Sequence, residues 1–106
     1  MEIRLKKRGD FDKVFKTGKR IYGKYLMIVY LPAKELKIGY SVGKKHGGAV
    51  VRNRIKRLLR AIMREKVPMI NGKYHFVIVP KVAEEYSFEK FERDIALTLT
   101  KEKLLG

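Results

Sequence analysis

Apolar residues fall at helical spacing in three stretches of this chain and alternate, or run together, in three others. Phe11, Val14 and Phe15 share one side of a short helix that Asp10 can cap and Gly18 can stop, ending near Thr17. From Lys19 to Leu31 β-formers alternate through Ile21, Tyr22, Tyr25, Leu26, Met27, Ile28, Val29 and Tyr30, which predicts one long strand. Pro32-Ala33-Lys34-Glu35 supplies a turn and Leu36 to Val42 a second strand, so the two strands are expected to pair as a hairpin. Tyr74 to Val79 is a third strand, closed by Pro80. Its near-continuous run Phe76-Val77-Ile78-Val79 predicts burial on both faces, in the centre of a sheet.

Between the second and third strands lies the stretch that organises the rest. Gly43-Lys44-Lys45-His46-Gly47-Gly48 is a basic, glycine-rich connection, and a helix follows from about Ala49 to Lys66. Ile55, Leu58, Leu59 and Ile62, with Val51 one turn earlier, predict its apolar side. Arg52, Asn53, Lys56, Arg57, Arg60 and Arg64 are expected on the opposite side, with Arg54 at the flank. Arg52/Lys56, Lys56/Arg60 and Arg60/Arg64 are repulsive i,i+4 pairs, so this face becomes favourable only against a polyanion. Pro68 and Asn71-Gly72 break the pattern. A last helix, capped by Ser87 and carrying Phe88, Phe91, Ile95 and Leu99 on one side, runs to about Lys103. Glu89 near its start and Lys101 and Lys103 near its end suit the helix dipole.

Length and charge sharpen this picture. At 106 residues the chain suits a single domain, residues 1–106, with one modest core. Basic side chains outnumber acidic ones 26 to 11, a net charge of +15, which points to nucleic acid ahead of an anionic membrane surface. Arg4, Lys6, Lys7 and Arg8 make the first nine residues a basic lead-in, either a solvated tail or an RNA-contacting arm. There are no cysteines, which excludes disulfides, thiolate metal sites and cysteine nucleophiles. The charged N-terminus has no secretory pattern and no run is long enough to span a membrane, so a cytoplasmic protein is expected.

Catalytic material is sparse. His75 sits inside a strand, where a structural role is expected. His46 lies in the basic loop, could touch phosphate, and is the one candidate for a protein-borne nuclease. No spacing of carboxylates suggests a metal cage, and the glycines do not follow the P-loop order. Arginine, by contrast, is the residue suited to bidentate phosphate contact, and free amides at the start of the basic helix add to the attraction. Phe11, Phe15, Tyr22, Tyr25 and Tyr30 could supply stacking surfaces for single-stranded RNA, although alternation sends Tyr25 and Tyr30 to opposite faces. An rRNA-binding structural protein of ribosomal type is the alternative that the charge also permits.

The stretch SVGKKHGGAVVRNRIKRLLR, with its Arg52-Asn53-Arg54 core, closely resembles the signature of the bacterial ribonuclease P protein subunit. The DFDKVFKTG start from Asp10 to Gly18 and FVIVP at Phe76 to Pro80 extend the likeness over nearly the whole chain. The resemblance implies an α/β (α+β) two-layer sandwich like ribosomal protein S5 domain 2. Its order is α-β-β-α-β-α, with a left-handed βαβ crossover where most are right-handed. It implies tRNA 5′ maturation, in which a large RNA using Mg²⁺ is the catalyst. The protein binds that ribonuclease P RNA and the 5′ leader of precursor tRNA. It carries no catalytic residue, holds no cofactor tightly and needs no protein partner or membrane. By position Lys44, Lys45, Arg52, Asn53, Arg54, Lys56, Arg57 and Arg60 match the family's RNA-facing segment. Phe11 and Phe15 match the aromatics of the cleft that receives the leader, with Tyr25 or Tyr30 as the tyrosine that joins them, and Tyr25 is taken. Gly43, His46, Gly48 and Ala61 depart from the family's usual residues, which makes the loop more flexible.

Overall fold

A computed structural model describes residues 3–106. In chain order these form α1 (Arg8–Thr17), β1 (Lys19–Tyr22), β2 (Leu26–Pro32), β3 (Lys37–Tyr40), α2 (Ala49–Lys66), β4 (Tyr74–Pro80) and α3 (Phe88–Lys101). Among the described residues the strands make one four-stranded sheet in the order β1-β2-β4-β3. β2 is antiparallel to both β1 and β4, while β3 runs parallel to β4.

Two expectations about the strands need correction. The single strand over Lys19 to Leu31 is a hairpin, broken at Gly23-Lys24, so one more strand enters the order. The expected pairing of the next two strands does not form: β4 lies between β2 and β3. The physical reason is the composition of β4. Phe76 and Ile78 face one side and Val77 the other, all fully buried. A strand that is apolar on both faces gains most from an inner position with neighbours on either side. β3 is left at the edge, where the N-terminal lead-in extends it. Leu5 N–H donates to Ile38 O (2.9 Å) and Ile38 N–H to Ile3 O (2.8 Å). Leu5 is buried, so this part of the lead-in is a structural element and not a solvated tail. Met1 and Glu2 lie outside the described residues.

Helices cover both faces of the sheet. On one, Leu26, Ile28, Ile38, Phe76 and Ile78 pack against Ile55, Leu59 and Ile62 of α2 and Phe91, Ile95 and Leu99 of α3. On the other, Val14 of α1 meets Val29, Val77 and Leu5. The Phe11 ring lies directly on Gly39 of β3, where any Cβ would overlap it. α1 begins at Arg8, and Asp10 sits within its first turn without capping it. Ser87 does cap α3, its Oγ accepting Lys90 N–H at 3.4 Å. α3 ends at Lys101, after which the chain turns back, buries Leu104 and bridges Leu105 to Ile70.

Polar contacts tie α3 to its neighbours. Asp94 is buried on α3, and its Oδ2 accepts the N–H groups of Tyr25 (2.5 Å) and Leu26 (3.1 Å), which fastens the β1–β2 hairpin to the helix. Lys66 of α2 pairs with Glu92 of α3 at 2.6 Å. Glu102 Oε1 receives both Tyr30 Oη (2.8 Å) and Lys19 Nζ (2.6 Å). Those two hydrogen bonds, Lys19's first, hold the Glu102 carboxyl below the usual carboxylate range. Burial, then the hydrogen bond to Glu102, pushes the Tyr30 phenol up to about 12. A raised folded value means that this stability is fully present below the ordinary value of 10.0 and is lost as pH climbs towards about 12. Urea midpoints measured across that window should fall less steeply in Tyr30→Phe than in the parent. Equal slopes would remove Tyr30 as a source. Tyr40, also pushed up to about 12 by burial, continues to contribute in the variant.

Candidate nucleic-acid interface

The site grows from the connection between β3 and α2. Gly47 has φ of +137°, a region that L side chains rarely adopt, and it lets the chain turn from the sheet edge into the helix. His46 locks that turn. Gly43 N–H donates to its Nδ1 (3.0 Å), so the ring carries its proton on Nε2, which donates to Pro80 O at 2.7 Å. The side chain is buried, and Tyr86 Oη donates to the His46 carbonyl at 3.2 Å. His46 is therefore a strut between the loop and the end of β4. The reading of it as a phosphate contact or nuclease base fails, because both ring nitrogens are already engaged. Lys44 and Lys45, two residues and one residue earlier, are exposed.

α2 starts at Ala49, after Gly48 as its N-cap, with no side-chain cap and no acid in its first turn, leaving its positive end open to an anion. The buried stripe of the helix is Ile55, Leu59, Ile62, Met63 and Lys66. Its centre is rotated from the expected one: Leu58 is half-buried and Val51 is 39% exposed. This rotation divides the basic residues into two sets. Arg52, Lys56 and Arg60 form a half-buried row along the flank at i,i+4 spacing, not on the far side as the sequence predicts. Asn53, Arg54, Arg57 and Arg64 are exposed. Asn53, Lys56, Arg57, Arg60 and Arg64 line an open groove of about 440 Å³ along the helix. None of these arginines or lysines has an ion-pair partner among the described residues, where the pairs are those of Lys19, Lys37 and Lys66. The Nε–H groups of Arg52 and Arg60 are buried and have no acceptor among the described residues. Each is a donor that the folded chain leaves unsatisfied, at a cost of about 1–3 kcal/mol until a partner supplies an acceptor.

A second surface lies on the α1 face of the sheet. Register places Tyr22, Met27 and Val79 side by side across β1, β2 and β4. The adjacent row is Arg20, Val29, Val77 and Gly39, on which α1 packs. Phe11 and Phe15 are half-buried there, and the Arg20 guanidinium carbon sits 5.9 Å from the centre of the Phe15 ring. Tyr22 is 69% exposed. The result is an open apolar strip with a cation at its edge.

Tyr25 is not part of that strip. It packs with the α2/α3 core, its ring flanked by Lys24 and Lys90, each with Nζ 5.4 Å from the ring centre. Tyr30 also faces that side, held by Glu102. The structure thus keeps Phe11 and Phe15 together, separates Tyr25 from them and puts Tyr22 in its place. The missing signal was the break at Gly23-Lys24: once β1 and β2 are a hairpin, the pairing of Tyr22 with Met27 fixes its face. No three His, Asp or Glu side chains among the described residues converge to hold a metal ion, and no helix there is long and apolar enough to cross a membrane.

Comparison with known proteins bears on this arrangement. A family model described as Ribonuclease P matches residues 1–103. A ribonuclease P protein component from Bacillus velezensis is 40% identical over 95 residues, covering 87% of this chain and 82% of that protein. One from Onion yellows phytoplasma is 42% identical over 106 residues, covering 95% of this chain and 74% of the relative. Among solved structures, the RNase P protein of Thermotoga maritima superposes with a TM-score of 0.82 at 27% identity, covering 92% of this chain and 96% of that one. The fold of the Staphylococcus aureus RNase P protein matches over 100% of both chains with a TM-score of 0.87 at 24% identity. Family match, curated relatives and mixed α/β fold agree: this chain belongs to the ribonuclease P protein family, the protein component of an RNA–protein endoribonuclease of tRNA processing.

Proposed function

We propose that this chain binds the catalytic RNA of ribonuclease P along α2 and the 5′ leader of precursor tRNA across the α1 face. The observation that carries the first half is an open groove on α2 lined by Lys56, Arg57, Arg60 and Arg64 with no acid in its lining, while Lys44 and Lys45 stand exposed in the turn that leads into the helix. Phosphates are the partner that turns this repulsion into attraction. The second half rests on the strip of Tyr22, Met27 and Val79 beside Phe15 and Arg20, which suits an unpaired strand by stacking and backbone attraction. The chemistry belongs to the RNA subunit and its Mg²⁺. The protein holds the leader extended, lowers the Mg²⁺ needed and acts in the cytoplasm. Reconstitution with the RNA subunit tests this: cleavage of precursor tRNA at modest Mg²⁺ rises when the protein is added, and absence of that rise rejects the proposal.

The leader surface makes a separate prediction. Tyr22→Ala should weaken binding of leader-bearing precursor roughly 5- to 150-fold, the equivalent of the 1–3 kcal/mol of one base–aromatic stack. Affinity for mature tRNA should not change, nor should either affinity in Tyr25→Phe. Equal losses with and without the leader would move the strand elsewhere.

A further inference from the structure

Between edge strand β3 and α2, on the sheet face opposite Phe11 and Phe15, lies a groove of about 340 Å³. Ile3, Tyr40, Met63 and Val67 give it apolar lining, and Arg4, Arg60 and Arg64 line it as well. Its volume falls within the roughly 300–1,000 Å³ of small-molecule sites. Arg60 also lines the outer groove of α2, so the two depressions share one wall. Its guanidinium carbon lies 5.9 Å from the centre of the Tyr40 ring, and its buried Nε–H has no acceptor among the described residues. Neither Arg60 nor Arg64 has an ion-pair partner among the described residues. Apolar walls, an aromatic ring, an unsatisfied donor and two unpaired cations together describe an anion with a flat aromatic part. A nucleotide has that chemistry: its base offers acceptors and a stacking face, and its phosphate offers charge.

We propose that this groove takes one unpaired nucleotide of the RNA lying along α2, its base against Tyr40 and Arg60 and its phosphate on Arg64. The inference rests on the RNA-binding reading of α2 and adds a base-reading point that the phosphate contacts lack. Splayed bases are where proteins read RNA, because an intact A-form helix hides its base edges in a deep groove.

Residue-resolved NMR of the full chain can decide it, with tetraadenylate and an abasic tetranucleotide as probes in low salt. Tetraadenylate should bind about tenfold more tightly than the abasic chain. It should shift the Tyr40 ring and the Met63 and Val67 methyl resonances. Tyr40→Phe should keep that preference and Tyr40→Leu should lose it. Should Tyr40→Leu not fold, the wild-type shifts decide alone. Equal affinity for the two probes, or base-dependent shifts confined to Tyr22 and Met27, overturns the nucleotide site and leaves RNA binding by α2 intact. Failure of both probes to bind overturns the two together.

Discussion

Replacing Lys56, Arg57 and Arg64 together with glutamine should lower affinity for the ribonuclease P RNA about a hundredfold at 0.1 M salt. The three side chains line one groove and have no acidic partner among the described residues, so their charge is available to phosphate. Each phosphate contact contributes roughly 0.7–0.9 to the slope of log affinity against log salt. The slope of the triple variant should therefore be shallower by about 2–3, and the two proteins should converge near 1 M salt. Stability should not fall, because the substitutions relieve like-charge crowding along α2. Thermal melting separates the two effects: lost affinity with an unchanged melting point and an altered slope supports direct phosphate contact. Lost affinity with an unchanged slope would place these residues away from the RNA.

The second large effect concerns Asp94. Alanine there removes the acceptor for the N–H groups of Tyr25 and Leu26 at the turn of the β1–β2 hairpin. Unsatisfied buried donors cost about 1–3 kcal/mol each, so a loss of roughly 2–5 kcal/mol is expected. Against a total stability of about 5–15 kcal/mol for a domain, that is a large fraction. Asp94→Asn keeps one oxygen and should cost about half as much. Urea denaturation measures both. A change below about 0.5 kcal/mol in the alanine variant would mean that solvent replaces the carboxylate. Because the hairpin presents Tyr22, binding of leader-bearing precursor should decline with stability in this series, whereas RNA binding by α2 should decline less.

Some of the mutational sensitivity of the protein is legible without any such experiment. The span of α2, the Ser87 cap and the central burial of β4 all follow from local patterns: a 3.6-residue period, a hydroxyl before a helix, and an unbroken apolar run. The basic character of α2 follows from composition along one helix. These features are encoded by neighbours in the sequence, so the sequence exposes them.

What eluded the sequence depends on partners distant along the chain. His46 sits among lysines and looks available, yet the carbonyl of Pro80, far along the chain, accepts its Nε2–H. Tyr25 and Tyr22 differ by three positions, and which of them joins Phe15 is decided by a break at Gly23 that Asp94, on another helix, holds in place. Arg52, Lys56 and Arg60 are set on the half-buried flank of α2 because Met63 and Lys66 rotate the buried stripe towards them.

By itself, then, the sequence determined the helices, the polyanion-seeking charge of α2 and the family, since each is a property of residues close together in the chain. Only the tertiary structure decided strand order, the face of each tyrosine and the engagement of both His46 ring nitrogens. These depend on which surfaces meet, and a strand's register or a ring's hydrogen bond is set by the energy of contact with segments whose position the local pattern does not carry.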